Sequence, residues 1–145
     1  MIWLLRHGDA EDGGGKPDAE RRLTKRGERQ GRDAGRALRK LGVKLDACLT
    51  SHKVRARETA ELACAPLKVN VELDERLAGG DFDPLEVGAG RGEVLLVGHE
   101  PDFSRAVAAV TGSRVKMKKG GLAAIDDHLL HALLRPKDLS VIAKG

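Results

Sequence analysis

Met1-Ile2-Trp3-Leu4-Leu5-Arg6-His7-Gly8-Asp9-Ala10 is an apolar run that stops abruptly at Arg-His-Gly. The run reads as a buried strand, and the residues after it place a cation and an imidazole at the rim of a sheet. In open α/β sheets, ligands bind just beyond the carboxyl ends of the strands. Gly8 permits a sharp turn there and leaves room for a ligand.

The same pattern returns twice. Glu93-Val94-Leu95-Leu96-Val97 is the clearest strand of the chain and ends in Gly98-His99-Glu100-Pro101. Pro101 suits the first position of a helix that runs to about Thr111 and stops at Gly112. Residues 45–50 form a shorter strand, and the stretch from Ser51 passes from strand end into a helix that reaches about Cys64. Arg55 falls in its first turn, where the helix dipole opposes a cation. An anion seated between them would relieve that opposition, and a helix N-terminus already suits phosphate.

The remaining segments fill in an alternating pattern. Residues 11–22 are a polar, glycine-rich loop bordering the His7 turn, without the Lys-Ser/Thr ending of a P-loop. Thr24 caps a helix whose small and apolar positions, Gly27, Gly31, Ala34, Leu38 and Leu41, share one stripe. The small residues in its first half predict a helix lying very close to the sheet. Val69 to Leu73 alternates as a strand, and residues 74–83 form an acidic loop with a short helix after it. Leu122 to Ile125 reads as a strand, and the tail from Pro136 as a short, loosely packed end. Strands alternating with helices predict an α/β three-layer sandwich, a largely parallel central sheet flanked by helices. The 145 residues fit one domain spanning 1–145.

Composition narrows the function. Aromatic residues make up only 2%, which leaves no stacking platform for nucleic acid. The net charge of +4 suits an anionic ligand or an acidic partner, although a solvated basic helix face accounts for most of it. Cys48 and Cys64 lack metal-site spacing and read as reduced core thiols. No targeting stretch or membrane-length run appears, so a cytoplasmic protein with no membrane partner is expected.

Strands that run parallel bring their carboxyl ends to one side, so Arg6, His7, Arg55 and His99 converge in one pocket. Two guanidiniums and two imidazoles match the oxygens of a phosphate. Flanking arginines repel a dication, and no third histidine or cysteine occupies a comparable strand end, so no metal or cofactor is expected. A Ser-His-Asp hydrolase would need a G-x-S-x-G elbow, which the sequence lacks.

Four motifs in order now carry a resemblance: Leu5-Arg6-His7-Gly8; Leu23-Thr24-x-x-Gly27-x-x-Gln30; Ser51-x-x-x-Arg55-Ala56-x-x-Thr59-Ala60; and Val97-Gly98-His99. Together they resemble the histidine phosphatase (phosphoglycerate mutase-like) superfamily over nearly the whole chain. The Arg-His-Gly-Asp-Ala start and the short chain are most similar to SixA-type phosphohistidine phosphatases. The resemblance implies that His7 is a nucleophile forming a phosphohistidine intermediate, and that Arg6, Arg55 and His99 grip the transferring phosphoryl group. Leu73-Asp74-Glu75-Arg76 resembles the stretch carrying the general acid in mutase-like members, which makes Glu75 the candidate. The Gly80-Asp81 pair looks more like SixA-type members, so Asp81, or no acid at all, stays open. His52 stands where many relatives have proline and is read as a rim residue. The short 74–92 segment leaves little chain for a lid. The resemblance also favours reading residues 129–134, whose pattern fits helix and strand alike, as a strand in a hairpin turning at Asp127-His128. The implied substrate is a phosphorylated protein, phosphohistidine first. A small phosphate ester is the alternative within enzymes, and a non-catalytic phosphate- or phosphoprotein-binding module the alternative outside them.

Overall fold

The computed structural model describes residues 1–145 and places Ile2–Arg6 as strand β1, inside a six-stranded sheet. In chain order follow α1 (Lys25–Lys40), β2 (Ala47–Thr50), α2 (Val54–Cys64), β3 (Val71–Leu73), α3 (Pro84–Val87), β4 (Val94–Gly98), α4 (Asp102–Thr111), β5 (Leu122–Asp126), β6 (Leu129–Leu134) and α5 (Pro136–Lys144). The strand order is β3-β2-β4-β1-β5-β6. The first four run parallel, and β5 and β6 add an antiparallel hairpin at one edge. This is the α/β sandwich that the alternating pattern predicts. No helix is long and apolar enough to cross a membrane.

The alternation along β1 builds two cores. Trp3 and Leu5 point to one face and share a core with Ala34 and Leu38 of α1, Ala60 and Cys64 of α2 and Leu139 of α5. Leu4 points to the other face, with Val87 of α3 and Phe103 and Val107 of α4. β4 lies between β2 and β1 and is buried along its whole length, which explains its uninterrupted apolar sequence. Each fully buried leucine contributes about 1.5–3 kcal/mol. Leu77 and Val87 anchor the 74–92 segment in the second core, so this stretch is packed down on the sheet.

Three expectations need correction. Gly31 and Gly35 of α1 do not serve the sheet. A Cβ at Gly35 would lie 2.3 Å from the Ala63 carbonyl oxygen, and one at Gly31 would lie 3.2 Å from the Leu62 Cβ, so this ridge fits against α2. Ala34, Ala37 and Leu38, on the adjacent face, meet the sheet core instead. Pro101 is not the first helical residue. It closes the turn after β4 at φ −82° and ψ 3°, and the helix begins at Asp102.

The tail is not loose. Pro136 opens α5, the Asp138 carboxylate accepts from the Arg135 backbone N–H at 2.8 Å, and Leu139 is fully buried. Those start signals are the ones expected of a capped helix. Leu139→Ala is therefore expected to lower stability by about 2–5 kcal/mol in chemical denaturation. A loss below about 0.5 kcal/mol would match a surface residue and contradict this packing.

Candidate active site

The site grows out of one register. Arg6 of β1 lies beside Gly98 of β4, so the next residue on each strand, His7 and His99, stand side by side at the sheet's rim. Their ring centroids are 5.3 Å apart. The His7 backbone N–H donates to the Gly98 carbonyl at 3.0 Å and extends the ladder by one step. Glycine is required at Gly98, because a Cβ there would lie 2.7 Å from the Phe103 ring.

The turn after His7 is clamped from two sides. A Cβ on Gly27 would lie 2.0 Å from the Asp9 carbonyl oxygen, so the start of α1 rests directly on this turn. The Asp9 backbone N–H donates to Gln30 Oε1 at 2.8 Å, and the Gly8 N–H donates to Thr59 Oγ1 at 3.1 Å. Thr59 in turn donates to the Arg55 carbonyl at 2.7 Å, which ties the turn to α2. These contacts give the Gly27, Gln30 and Thr59 positions of the sequence motifs a structural role.

The His7 Nδ1 lies 2.7 Å from the Gly8 carbonyl oxygen. A carbonyl only accepts, so Nδ1 carries the proton and the lone pair of the neutral ring sits on Nε2. Burial pushes the His7 pKa down to about 4, and Arg55, Arg6 and Lys119 push in the same direction, against the Gly8 hydrogen bond. His99 falls to about 3 through burial, then through His7, Arg55 and Lys53. Its Nε2 pairs with Ser51 Oγ at 2.8 Å. Both rings are neutral near pH 7.

Each arginine is held by backbone on one side. Arg6 Nη1 donates to the Met117 carbonyl at 2.9 Å. Met117 is fixed in turn, because its N–H donates to Ser104 Oγ at 3.1 Å and Ser104 donates to the Glu100 carboxylate. Arg55, which is buried, donates from Nη1 to the Asp18 carbonyl at 2.8 Å and from Nη2 to Asp18 Oδ2 at 3.1 Å. Buried nitrogens remain without a protein partner on three of these side chains: Arg6 Nε, Arg55 Nε and His99 Nδ1. An unpartnered buried polar group costs about 1–3 kcal/mol, which an anion accepting from the arginines offsets.

The structure thus brings Arg6, His7, Arg55 and His99 together. Glu75, in a 3-10 turn after β3, is exposed and its side chain forms no hydrogen bond or ion pair, and Asp81 and His52 are also exposed. Sequence reasoning missed Asp18, Lys119 and the Met117 carbonyl. Asp18 sits in the glycine-rich loop, whose lack of periodicity hides it. Lys119 precedes Gly120, whose φ of +76° and hydrogen bonds to the Arg6 and His7 carbonyls fold this segment onto the site. The Gly120-Gly121 pair signals that turn but not its destination.

Comparison with known proteins accords with this geometry. The profile of the histidine phosphatase superfamily (branch 1) matches residues 2–108. An uncharacterized protein of Picosynechococcus sp. is 33% identical over 137 residues, covering 86% of this chain and 83% of its own. The mitochondrial serine/threonine-protein phosphatase Pgam5 of Drosophila ananassae is 39% identical over 71 residues, 49% of this chain but only 24% of that protein. Among solved structures, the protein histidine phosphatase SixA complexed with tungstate superposes with a TM-score of 0.81 at 24% identity, covering 95% of this chain and 98% of that one. The two share a fold.

The depressed histidines have a signed consequence. In the unfolded chain a histidine binds its proton near pH 6.5, whereas His7 in the folded chain does so only near pH 4. Between these values the unfolded chain holds more protons. The stability that His7 and His99 contribute is therefore full above about pH 6.5 and is lost as the pH falls toward 4. Imidazole NMR is expected to show both rings neutral at pH values above about 5. A midpoint near 6.5 for either ring would contradict the burial and charge described here.

Proposed function

The chain belongs to the histidine phosphatase superfamily, and from that premise we propose that it is a phosphatase acting through a phosphohistidine formed on His7, with phosphohistidine in proteins as its substrate. The observation that carries this reading is the Nδ1–Gly8 hydrogen bond, which leaves a neutral Nε2 lone pair in a cationic pocket.

Nε2 of His7 attacks phosphorus, forming an N–P bond as the bond to the leaving group breaks. Arg6, Arg55 and His99 hold the equatorial oxygens and stabilise their charge in the transition state, the main task in phosphoryl transfer. Arg55 exchanges part of its bonding to Asp18 for the phosphoryl oxygens. Water then attacks the phosphorylated His7, releases inorganic phosphate and returns the electron pair to Nε2. Two arginines with Lys53 and Lys119 nearby repel a dication and already neutralise phosphate, so the reaction proceeds without a metal.

The substrate assignment rests on three supports. An imidazole leaves more readily than an alkoxide and needs less proton donation, which suits a site whose candidate acid, Glu75, is exposed and unengaged. The 74–92 segment is short and tied to the core through Leu77 and Val87, which suits a phosphoryl group displayed on a protein better than one enclosed beneath a lid. The solved structure with the same fold is named a protein histidine phosphatase.

Phosphate release from a phosphohistidine-bearing protein and from an aryl phosphate, with EDTA present, tests the reading. Wild type is expected to turn over both, the phosphoprotein with the higher kcat/KM, and His7→Ala to lose at least about a thousandfold on both. Undiminished turnover by His7→Ala, or activity abolished by EDTA, would overturn it. A preference for small esters would favour a metabolite phosphatase.

A further inference from the structure

Arg26, Arg29, Arg32 and Arg36 of α1 are exposed. They form one wall of a groove whose other wall is α5 and whose near end is the 118–119 segment. Three hollows lie along it in a line. The first holds Arg6 and Asp9 of the active-site rim together with Arg26, Lys118 and Lys119. The second shares Arg26 and Lys118 and continues to Arg29, Arg135 and Lys137. The third shares Arg29 and extends to Arg32, Arg36 and Lys144. From Arg26 to Arg36 the groove follows α1 for about 15 Å at the helical rise.

Ten cations and two acids line these hollows, a surplus larger than the +4 of the whole chain, so the rest of the molecule is net acidic. Besides Arg6, six of the cations, Arg26, Arg29, Arg36, Lys118, Lys137 and Lys144, have no ion-pair partner. Such a concentration of unpaired charge repels itself and attracts a polyanion. No hydrophobic residue lines the hollows, so their attraction for a ligand is chiefly electrostatic.

Shape and chemistry select the polyanion. A single phosphate ester fills the His7 pocket and leaves the groove untouched, so its occupant is long. Nucleic acid binding without sequence preference uses aromatic stacking platforms, and this groove has none: Trp3 and Phe103 are buried and Phe82 packs against Phe103. Carboxylates spaced along a chain match guanidinium and ammonium groups along two helices. Building on the phosphatase reading, we infer that the groove between α1 and α5 docks a carboxylate-rich segment of the phosphorylated protein, with the phosphoryl group beside it entering the His7 pocket past Arg6.

A fluorescein-labelled polyglutamate peptide of about ten residues, carrying no phosphate, tests this by anisotropy. Wild type is expected to bind it saturably at low salt and to release it as salt is raised. R29E/R36E, and independently K137E/K144E on the opposite wall, are expected to weaken binding by at least about tenfold. The charge-matched R105E/R114E, away from the groove, is expected to stay within about twofold. The two wall variants keep the test decisive if one of them fails to fold. Absence of saturable binding to wild type would overturn the inference. So would equal weakening in R105E/R114E, or tighter binding of an oligothymidylate of equal charge. Aryl phosphate turnover, measured in parallel, reports on the catalytic reading alone. Peptide binding without turnover would refute that reading and leave the groove standing.

Discussion

Arg6 pairs with Gly98 across two parallel strands, and the whole rim depends on that register. A shift of one residue would turn every side chain of β1 to the opposite face. Trp3 and Leu5 would leave the core they share with α1, and His7 would no longer stand beside His99. The apolar core therefore fixes the relation between the two imidazoles. Gly98 lies against the Phe103 ring and Gly27 against the Asp9 carbonyl, so the turns that carry the histidines have little freedom. The site is preorganised by the same packing that stabilises the sheet.

Charge at this rim is balanced locally. The two histidines escape protonation by burial among cations, and Asp18 reaches in from the glycine-rich loop to pair with Arg55. Asp18, and Asp9 beside Lys119, are too few to offset two guanidiniums and two nearby lysines, so the pocket keeps a net positive field. Arg6 finds only a carbonyl, that of Met117. Beyond Arg6 the positive charge continues along α1 and α5, where Asp33 is the acid that lines the hollows.

Much of this arrangement was legible in the sequence, for a physical reason. Leu4-Leu5-Arg6-His7-Gly8 and Leu96-Val97-Gly98-His99 each pass from an unbroken apolar run to polar residues and glycine, the pattern of a buried strand that ends at a sheet's rim. Arg55 stood out because a cation at a helix N-terminus is opposed by the dipole. Asp18 and Lys119 were invisible because they act from loops, where no period ties sequence to position. The glycine ridge of α1 was visible, but its target was not, since period alone does not say which neighbour a small face meets. The final helix carried its start signals in Pro136 and Asp138, yet its short apolar face, Leu139 and Ile142, gave a weak pattern. The basic groove needed the fold itself, because α1, the 118–119 segment and α5 are far apart in sequence.

The central claim is that the neutral Nε2 of His7 is the nucleophile. Rapid acid-free quenching of the enzyme during turnover of a labelled phosphoryl donor, followed by mapping of the bound label, tests it most directly. A covalent phosphoryl group on His7, attached at Nε2, is expected. Label on Nδ1, on His99 or on another residue, or turnover with no covalent adduct, would contradict it.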